Sequence, residues 1–282
     1  MKEAISLIRQ SPYLRHQDTR SKIEREIHII TSKRRIGRII EIPLRAKCFL
    51  NTKIVQAKVH STASTCVAFG LAGWIAWTTA DRLYDDRTTL SRDDLSCFSI
   101  MRPICDELIV LLFPTDHSKR NKVKKTLAVM EYANSRGCTL NLEGISVLKS
   151  IGVALPMVAF LMNVGVDTKN VKVCKQFFYH FILCRQLSDD ALDWPEDMKK
   201  GQRTLVTEWL EEAIGKDRPF RKYRKAFDKT VSPKVAQKIL SHSRSSIGYA
   251  KKMTCFTSTE FLEELPRFYK EMAEKILRDY AV

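Results

Sequence analysis

Gln186-Leu187-Ser188-Asp189-Asp190-Ala191-Leu192-Asp193-Trp194-Pro195-Glu196-Asp197 is the stretch that decides the reading of this chain. Its aspartates at 189, 193 and 197 are four apart, so in a helix they stack turn over turn. Like charges at that spacing destabilise a helix by a few tenths of a kcal/mol per pair unless a cation lies between them. The residues before it, Phe177-Phe178-Tyr179-His180-Phe181-Ile182, are aromatic and apolar. About a hundred residues upstream the pattern recurs: the apolar run Cys66 to Trp77 leads into Asp81-Arg82-Leu83-Tyr84-Asp85-Asp86. Two helices, each apolar at its start and acidic at its end, would enclose a greasy cavity with a ring of carboxylates at its mouth. A ring of that kind implies bound metal.

Composition bounds the fold around these helices. The 282 residues are 44% hydrophobic and 28% charged, enough for a core and too apolar for a disordered chain. Ten glycines and nine prolines are few, and long stretches carry no turn signal, which predicts an all-α, single-domain helical bundle with a central apolar cavity. Residues 1–58 hold fourteen basic and five acidic side chains and are expected to form a loosely packed basic layer around a core spanning 59–282. Helices are expected near 57–83, 95–113, 119–134, 140–163 (kinked at Pro156), 171–192 (capped by Thr168 or Asn170), 205–214, 233–252 and 259–280. Pro195 should kink the acidic helix or restart it.

Charge and cysteine usage exclude several classes. The balance of 48 Lys+Arg against 32 Asp+Glu gives +16, which attracts polyanions such as nucleic acid, acidic lipid or a diphosphate. The eight cysteines contain no Cys-x-x-Cys pair, which argues against a zinc ribbon or redox motif and for reduced thiols in a cytoplasmic protein. No secretory signal stands at the N-terminus. The runs Cys66 to Trp77 and Val153 to Val166 fall short of the roughly 20 residues needed to cross a bilayer.

Carboxylates in this arrangement suit Mg²⁺, which takes hard oxygen ligands and is commonly held by one or two carboxylates together with substrate phosphates. The metal candidates are Asp81, Asp85, Asp86, Asp189, Asp190, Asp193 and Asp197. Lys149, in a helix running the other way, would stand at the same mouth, and Lys199, Lys200 and Arg203 would add positive charge for a leaving group. Trp77 and Phe178 are candidates for the cavity wall, beside Trp74 and Tyr179, where an aromatic face would stabilise a cation. The clusters Lys119 to Lys125 and Arg221 to Lys225 are read as solvated faces.

The pattern resembles the class I isoprenoid synthases, the superfamily of trans-prenyltransferases and class I terpene synthases. Gln186-x-x-Asp189-Asp190-x-x-Asp193 is similar to the second aspartate-rich motif of polyprenyl synthases. Lys149-Ser150 resembles their Lys-Thr pair, and Tyr84-Asp85-Asp86 their first motif. The resemblance covers about 74–86 and 148–204, and it implies catalytic roles for Asp85, Asp189 and Asp193 and substrate contacts from Lys149, Gln186, Lys200, Arg203, Trp77 and Phe178. The first motif ends in Thr89 where an aspartate is usual, and no Gly-Lys-Arg-x-Arg-Pro stretch for a second diphosphate is present. That absence favours a Mg²⁺-dependent terpene synthase ionising one allylic prenyl diphosphate. The alternatives are a short-chain trans-prenyltransferase and a non-catalytic basic helical protein binding nucleic acid or membrane. The expected partner is a prenyl diphosphate and no specific nucleic acid, with peripheral membrane contact and a homodimer both compatible.

Overall fold

The structure is a computed structural model that describes residues 1–14, 17–32, 34–51, 56–85, 92–135 and 142–280, with backbone alone at 17–19, 34–36, 56–57, 81–85, 92–94 and 134–135. Among the described residues there is no strand; one isolated bridge joins Leu50 to Phe256. The helices are α1 (Lys2–Arg9), α2 (Gln17–Ser32), α3 (Arg34–Ile40), α4 (Ile42–Ala46), α5 (Gln56–Asp85), α6 (Arg92–Leu112), α7 (His117–Ser135), α8 (Leu142–Ser150), α9 (Leu155–Asn163), α10 (Thr168–Lys200), α11 (Leu205–Ile214), α12 (Phe220–Ala226), α13 (Ser232–Lys251) and α14 (Glu260–Asp279).

Two long helices organise the rest. α5 spans 30 residues and is buried on every side over its middle, where Cys66, Val67, Ala68, Phe69, Leu71 and Ala72 are all fully enclosed. An all-round apolar helix belongs at the centre of a domain. α6 packs along one side of it, with α1 and α9 on others. α10 spans 33 residues and packs mainly against α13, which in turn carries α14. Phe177, Phe178 and Phe181 of α10 are essentially inaccessible, and Phe177 meets Phe178 edge to face at 4.9 Å. Each such ring contributes roughly 1.5–3 kcal/mol through burial, so the aromatic half of α10 fixes the position of its acidic half.

Several details depart from the sequence expectation. Asp167 caps α10, accepting a bond from the Asn170 backbone N–H at 2.8 Å, while the Asn170 amide ties back to Asp167 and across to Thr254. α10 also runs on through Pro195 to Lys200, ending at Gly201 with φ +64°. Only glycine adopts that angle freely, and it closes the helix. The expected single helix over 140–163 is two, separated by a 3₁₀ turn at Ile151–Val153 and bent by 57°. α12 and the π-helical turn Phe227–Val231 after it have no counterpart in the sequence reading. No single helix among the described residues is long and apolar enough to cross a membrane.

The basic N-terminal layer is packed more closely than its charge suggests. Ala4 and Ile8 are fully buried, and Ile23, Ile27 and Ile30 form an inward stripe on α2. Glu3 anchors α1 to α5, accepting from Ser64 Oγ at 2.6 Å and lying 2.9 Å from His60 Nε2. Among the described basic residues, Arg9, Arg20, Arg25 and Arg38 are exposed, so there charge and packing do not compete.

Trp77 shows how tight the centre is. A Cβ added to Gly152 would meet the Trp77 ring at 2.5 Å and the Met130 sulfur at 3.0 Å. Gly152→Ala is therefore expected to cost about 1–3 kcal/mol by overpacking, lowering Tm by several degrees. Trp77→Phe in the same chain should recover part of the loss, and an unchanged Tm in the single variant would contradict the contact.

Where α10 meets α13, His180 Nδ1 stands 3.0 Å from His242 Nδ1, so one ring must accept while the other donates. Burial holds both below the usual histidine range, opposed by nearby Glu143; for His242 the neighbouring His180 and Lys238 add to the lowering. The native pair thus binds fewer protons than the unfolded chain, and stability is full above about 6.5 and lost as pH falls through the native values. In melts from pH 7.5 to 5, His242→Gln should flatten part of this decline. Identical pH slopes for both proteins would rule the pair out as its source.

Candidate active site

The acidic half of α10 presents two faces. Asp190 is 4% exposed and Asp197 9% exposed, whereas Asp193 is exposed and Asp189 is partly so. The 189/193/197 triad is therefore split. At 100° per residue, eight positions leave Asp197 displaced by about 80° from Asp189, while Asp190 and Asp197, seven apart, differ by only about 20°. The inward pair is 190/197 and the outward pair is 189/193.

Burial pushes the Asp190 carboxyl up to about 7, with smaller contributions from Asp197, Asp189 and Asp193; a bond from Gln186 acts the other way. Gln186 Nε2 donates to Asp190 Oδ1 at 2.9 Å, and Ser150 Oγ donates to Gln186 Oε1 at 3.3 Å. This relay joins the end of α8 to the acidic helix. The other oxygen, Asp190 Oδ2, is buried with no hydrogen-bond partner among the described residues.

Beside the relay is a recess of about 80 Å³, walled by Trp74, Trp77, Lys149, Ser150, Gly152 and Arg185. Lys149 is solvent-exposed. The sequence reading missed Arg185. Its guanidinium lies 3.5 Å from Asp189 and 5.0 Å from the centre of the Trp74 ring, so it is held by a carboxylate and an aromatic face together. The signal was present in the sequence as a basic residue one turn before Asp189. Trp77 contributes an indole whose Nε1 is buried without a hydrogen-bond partner among the described residues.

A larger cavity of about 510 Å³ adjoins the recess, with Phe178, Tyr179 and Ile182 of α10 facing Val147, Leu155 and Val158. Phe178 thus lines the apolar cavity while Trp77 lines the recess. Lys200 is exposed in the last turn of α10. Arg203 is mostly exposed and paired with Glu208 of α11. Thr204 caps α11 through a capping box with Thr207.

Asp86 and the side chains of Asp81 and Asp85 lie outside the described residues; the backbone carries Asp81 and Asp85 in the last turn of α5. Among the described residues no three His, Cys, Asp or Glu side chains converge as a ready-made metal cluster. The donor chemistry of α10 nevertheless fits a hard divalent cation: all carboxylate, two of them outward, and one buried oxygen without a partner.

The chain has the all-α fold of prenyl pyrophosphate synthases. It superposes on geranylgeranyl pyrophosphate synthase from Corynebacterium glutamicum with a TM-score of 0.66 and 12% identity, covering 97% of this chain and 99% of that one. The same enzyme solved with calcium and isoprenyl diphosphate gives 0.66 and 12%, over 94% and 98%. Octaprenyl pyrophosphate synthase from Helicobacter pylori gives 0.63 and 14%, over 90% and 97%. No protein-family model matches the chain, and no curated protein matches it by sequence.

Asp190→Asn keeps the acceptor for Gln186 and removes a desolvated charge. In metal-free buffer at pH 8 the variant should be more stable by about 1–3 kcal/mol, read as a raised Tm in the presence of a chelator. A lowered Tm would mean the carboxylate is compensated in the native state.

Proposed function

We propose that the protein is an enzyme acting on prenyl diphosphates, and specifically a short-chain trans-prenyltransferase. The observation that carries this reading is the near full-length likeness to prenyl pyrophosphate synthases, combined with an acidic helix end, relayed through Gln186 to Ser150, beside an apolar cavity. The terpene synthase favoured by the sequence rested on a missing second-diphosphate motif. The structural neighbours are transferases, and they favour the alternative.

In this reading the prenyl tail lies in the apolar cavity against Phe178 and Tyr179, and the diphosphate lies at the acidic end. Asp189, Asp193, Asp190 and Asp197, with Asp81, Asp85 and Asp86 of the first cluster, would hold Mg²⁺, which supplies neutralisation of the departing pyrophosphate when bound. Lys149 and Arg185 add fixed positive charge toward the same group, stronger in a partly enclosed recess than in water; Lys200, fifteen residues beyond Arg185 on the same helix, would contribute only from the far end of the acidic turns. Arg203, paired with Glu208, would join them only by exchanging partners. The allylic C–O bond breaks and pyrophosphate leaves with the electron pair. The double bond of a homoallylic diphosphate then forms the new C–C bond, and a proton is lost from the adduct. The apolar walls keep water from the cation in the interval, and the Tyr179 and Phe178 faces stabilise it.

Geranyl, farnesyl and geranylgeranyl diphosphates incubated with isopentenyl diphosphate and Mg²⁺ should yield a longer prenyl diphosphate. Asp189→Ala with Asp193→Ala should slow this about 100-fold or more. Hydrocarbon or alcohol formed without isopentenyl diphosphate would restore the synthase reading. Absence of pyrophosphate release from every substrate would overturn both.

A further inference from the structure

α7 carries five basic residues within seven positions, and they divide into two groups. Lys119 lies 3.2 Å from Asp116, and Lys124 lies 3.6 Å from Asp106. Arg120 donates to the carbonyls of Phe113 at 2.8 Å and Pro114 at 2.7 Å. Lys122 and Lys125 make no ion pair with a described residue, although they share a helix face three positions apart, where like charges repel. Lys175 on α10 is in the same condition. These three line the 510 Å³ apolar cavity, and all three are exposed, so the cavity opens to solvent between them.

This opening is not the acidic mouth. Lys175 precedes Asp189 by fourteen residues on one continuous helix, which is roughly 21 Å of helical rise. The cavity lining contains no acidic side chain. Its inner wall is built from Val147, Leu155, Val158, Phe178 and Ile182, and its volume lies within the roughly 300–1,000 Å³ of small-molecule sites. An apolar volume with a rim of cations that make no ion pair with a described residue matches one ligand chemistry: a hydrocarbon chain ending in an anion.

We propose that this second mouth binds an anionic single-chain amphiphile, its carboxylate or phosphate on Lys122, Lys125 and Lys175 and its tail in the cavity. Binding itself is independent of the isoprenoid reading. One consequence rests on that reading: the tail would occupy the volume offered to the prenyl chain, so such a lipid would compete with substrate from the opposite end.

The test is calorimetric titration of the full chain with dodecyl phosphate, laurate, dodecanol and inorganic phosphate, all below the micellar range. Dodecyl phosphate or laurate should bind saturably and at least tenfold more tightly than dodecanol or inorganic phosphate, and the tighter of the two names the head group. The exposed triple variant Lys122→Glu, Lys125→Glu, Lys175→Glu should lose at least tenfold in that affinity while binding dodecanol as before. Equal binding of alcohol and anion, or an unaffected triple variant, would overturn the proposal. Mg²⁺ with pyrophosphate, titrated into both proteins, reports the acidic end separately. Its binding should be equal in the two, and its absence from both would sink the isoprenoid reading while leaving the amphiphile site standing.

Discussion

The constraint on which the candidate site depends is the desolvation of one carboxylate. Asp190 is enclosed in the bundle with a single compensating donor, Gln186, and a second oxygen that meets no partner among the described residues. Water would solvate that group far better, so something else must hold it inside. The aromatic half of α10 does so: Phe177, Phe178 and Phe181 are buried against one another and against the helices around them. A continuous helix transmits that anchoring rigidly along its axis, and the acidic turns have no freedom to rotate outward. Stability at one end of α10 thus maintains an electrostatically costly arrangement at the other, which is the usual relation between a scaffold and a binding site.

The same helix is the shared wall of both cavities, which couples the electrostatics of the site to its shape. Ile182 faces the apolar cavity and Arg185, one turn on, faces the recess. Across from them, Ile151 and Gly152 divide in the same way. The 3₁₀ turn at Ile151–Val153 is what allows this. It brings a glycine against the Trp77 ring and turns Ser150 toward Gln186. A Cβ at Gly152 would lie 2.5 Å from the indole, so the turn admits only glycine at that point.

Much of this was legible in the residues, and the exceptions have physical causes. Helices with a strong apolar period, such as α11, α13 and α14, fall within a residue of their expected bounds, because burial of one stripe dictates them. A kink at Pro156 was expected, and the 57° bend falls just before it, with Pro156 in the first turn of α9; the 3₁₀ turn at Ile151–Val153 was not foreseen. Pro195 was expected to kink α10 or restart it; the helix does not restart there but continues to Lys200. The aspartate triad was read by sequence spacing, which favours 189/193/197. Rotation of a real helix accumulates 20° per heptad, and burial selects 190 and 197. The pairing of Arg185 with Asp189 was readable from their spacing of four, whereas its place over the Trp74 ring is set only by the fold.

Net charge illustrates the limit of composition most clearly. A balance of +16 first suggested a surface for polyanions, yet many of the basic side chains have local employment. Arg9 is clamped to Glu24, Arg102 to Asp106 and Glu131, and Arg45 to Glu264. Exposed pairs of that kind are worth at most about 1 kcal/mol each, and because their carboxylates are already counted in the +16 they leave that excess intact. The cations that stay unpaired among the described residues include Lys149, which faces the polar recess, and Lys122, Lys125 and Lys175, which rim the apolar cavity. Positive charge concentrated at the openings of concave sites acts on a bound anion at short range and low dielectric, where it is strongest. Cations set at concave openings in this way suit small anionic ligands.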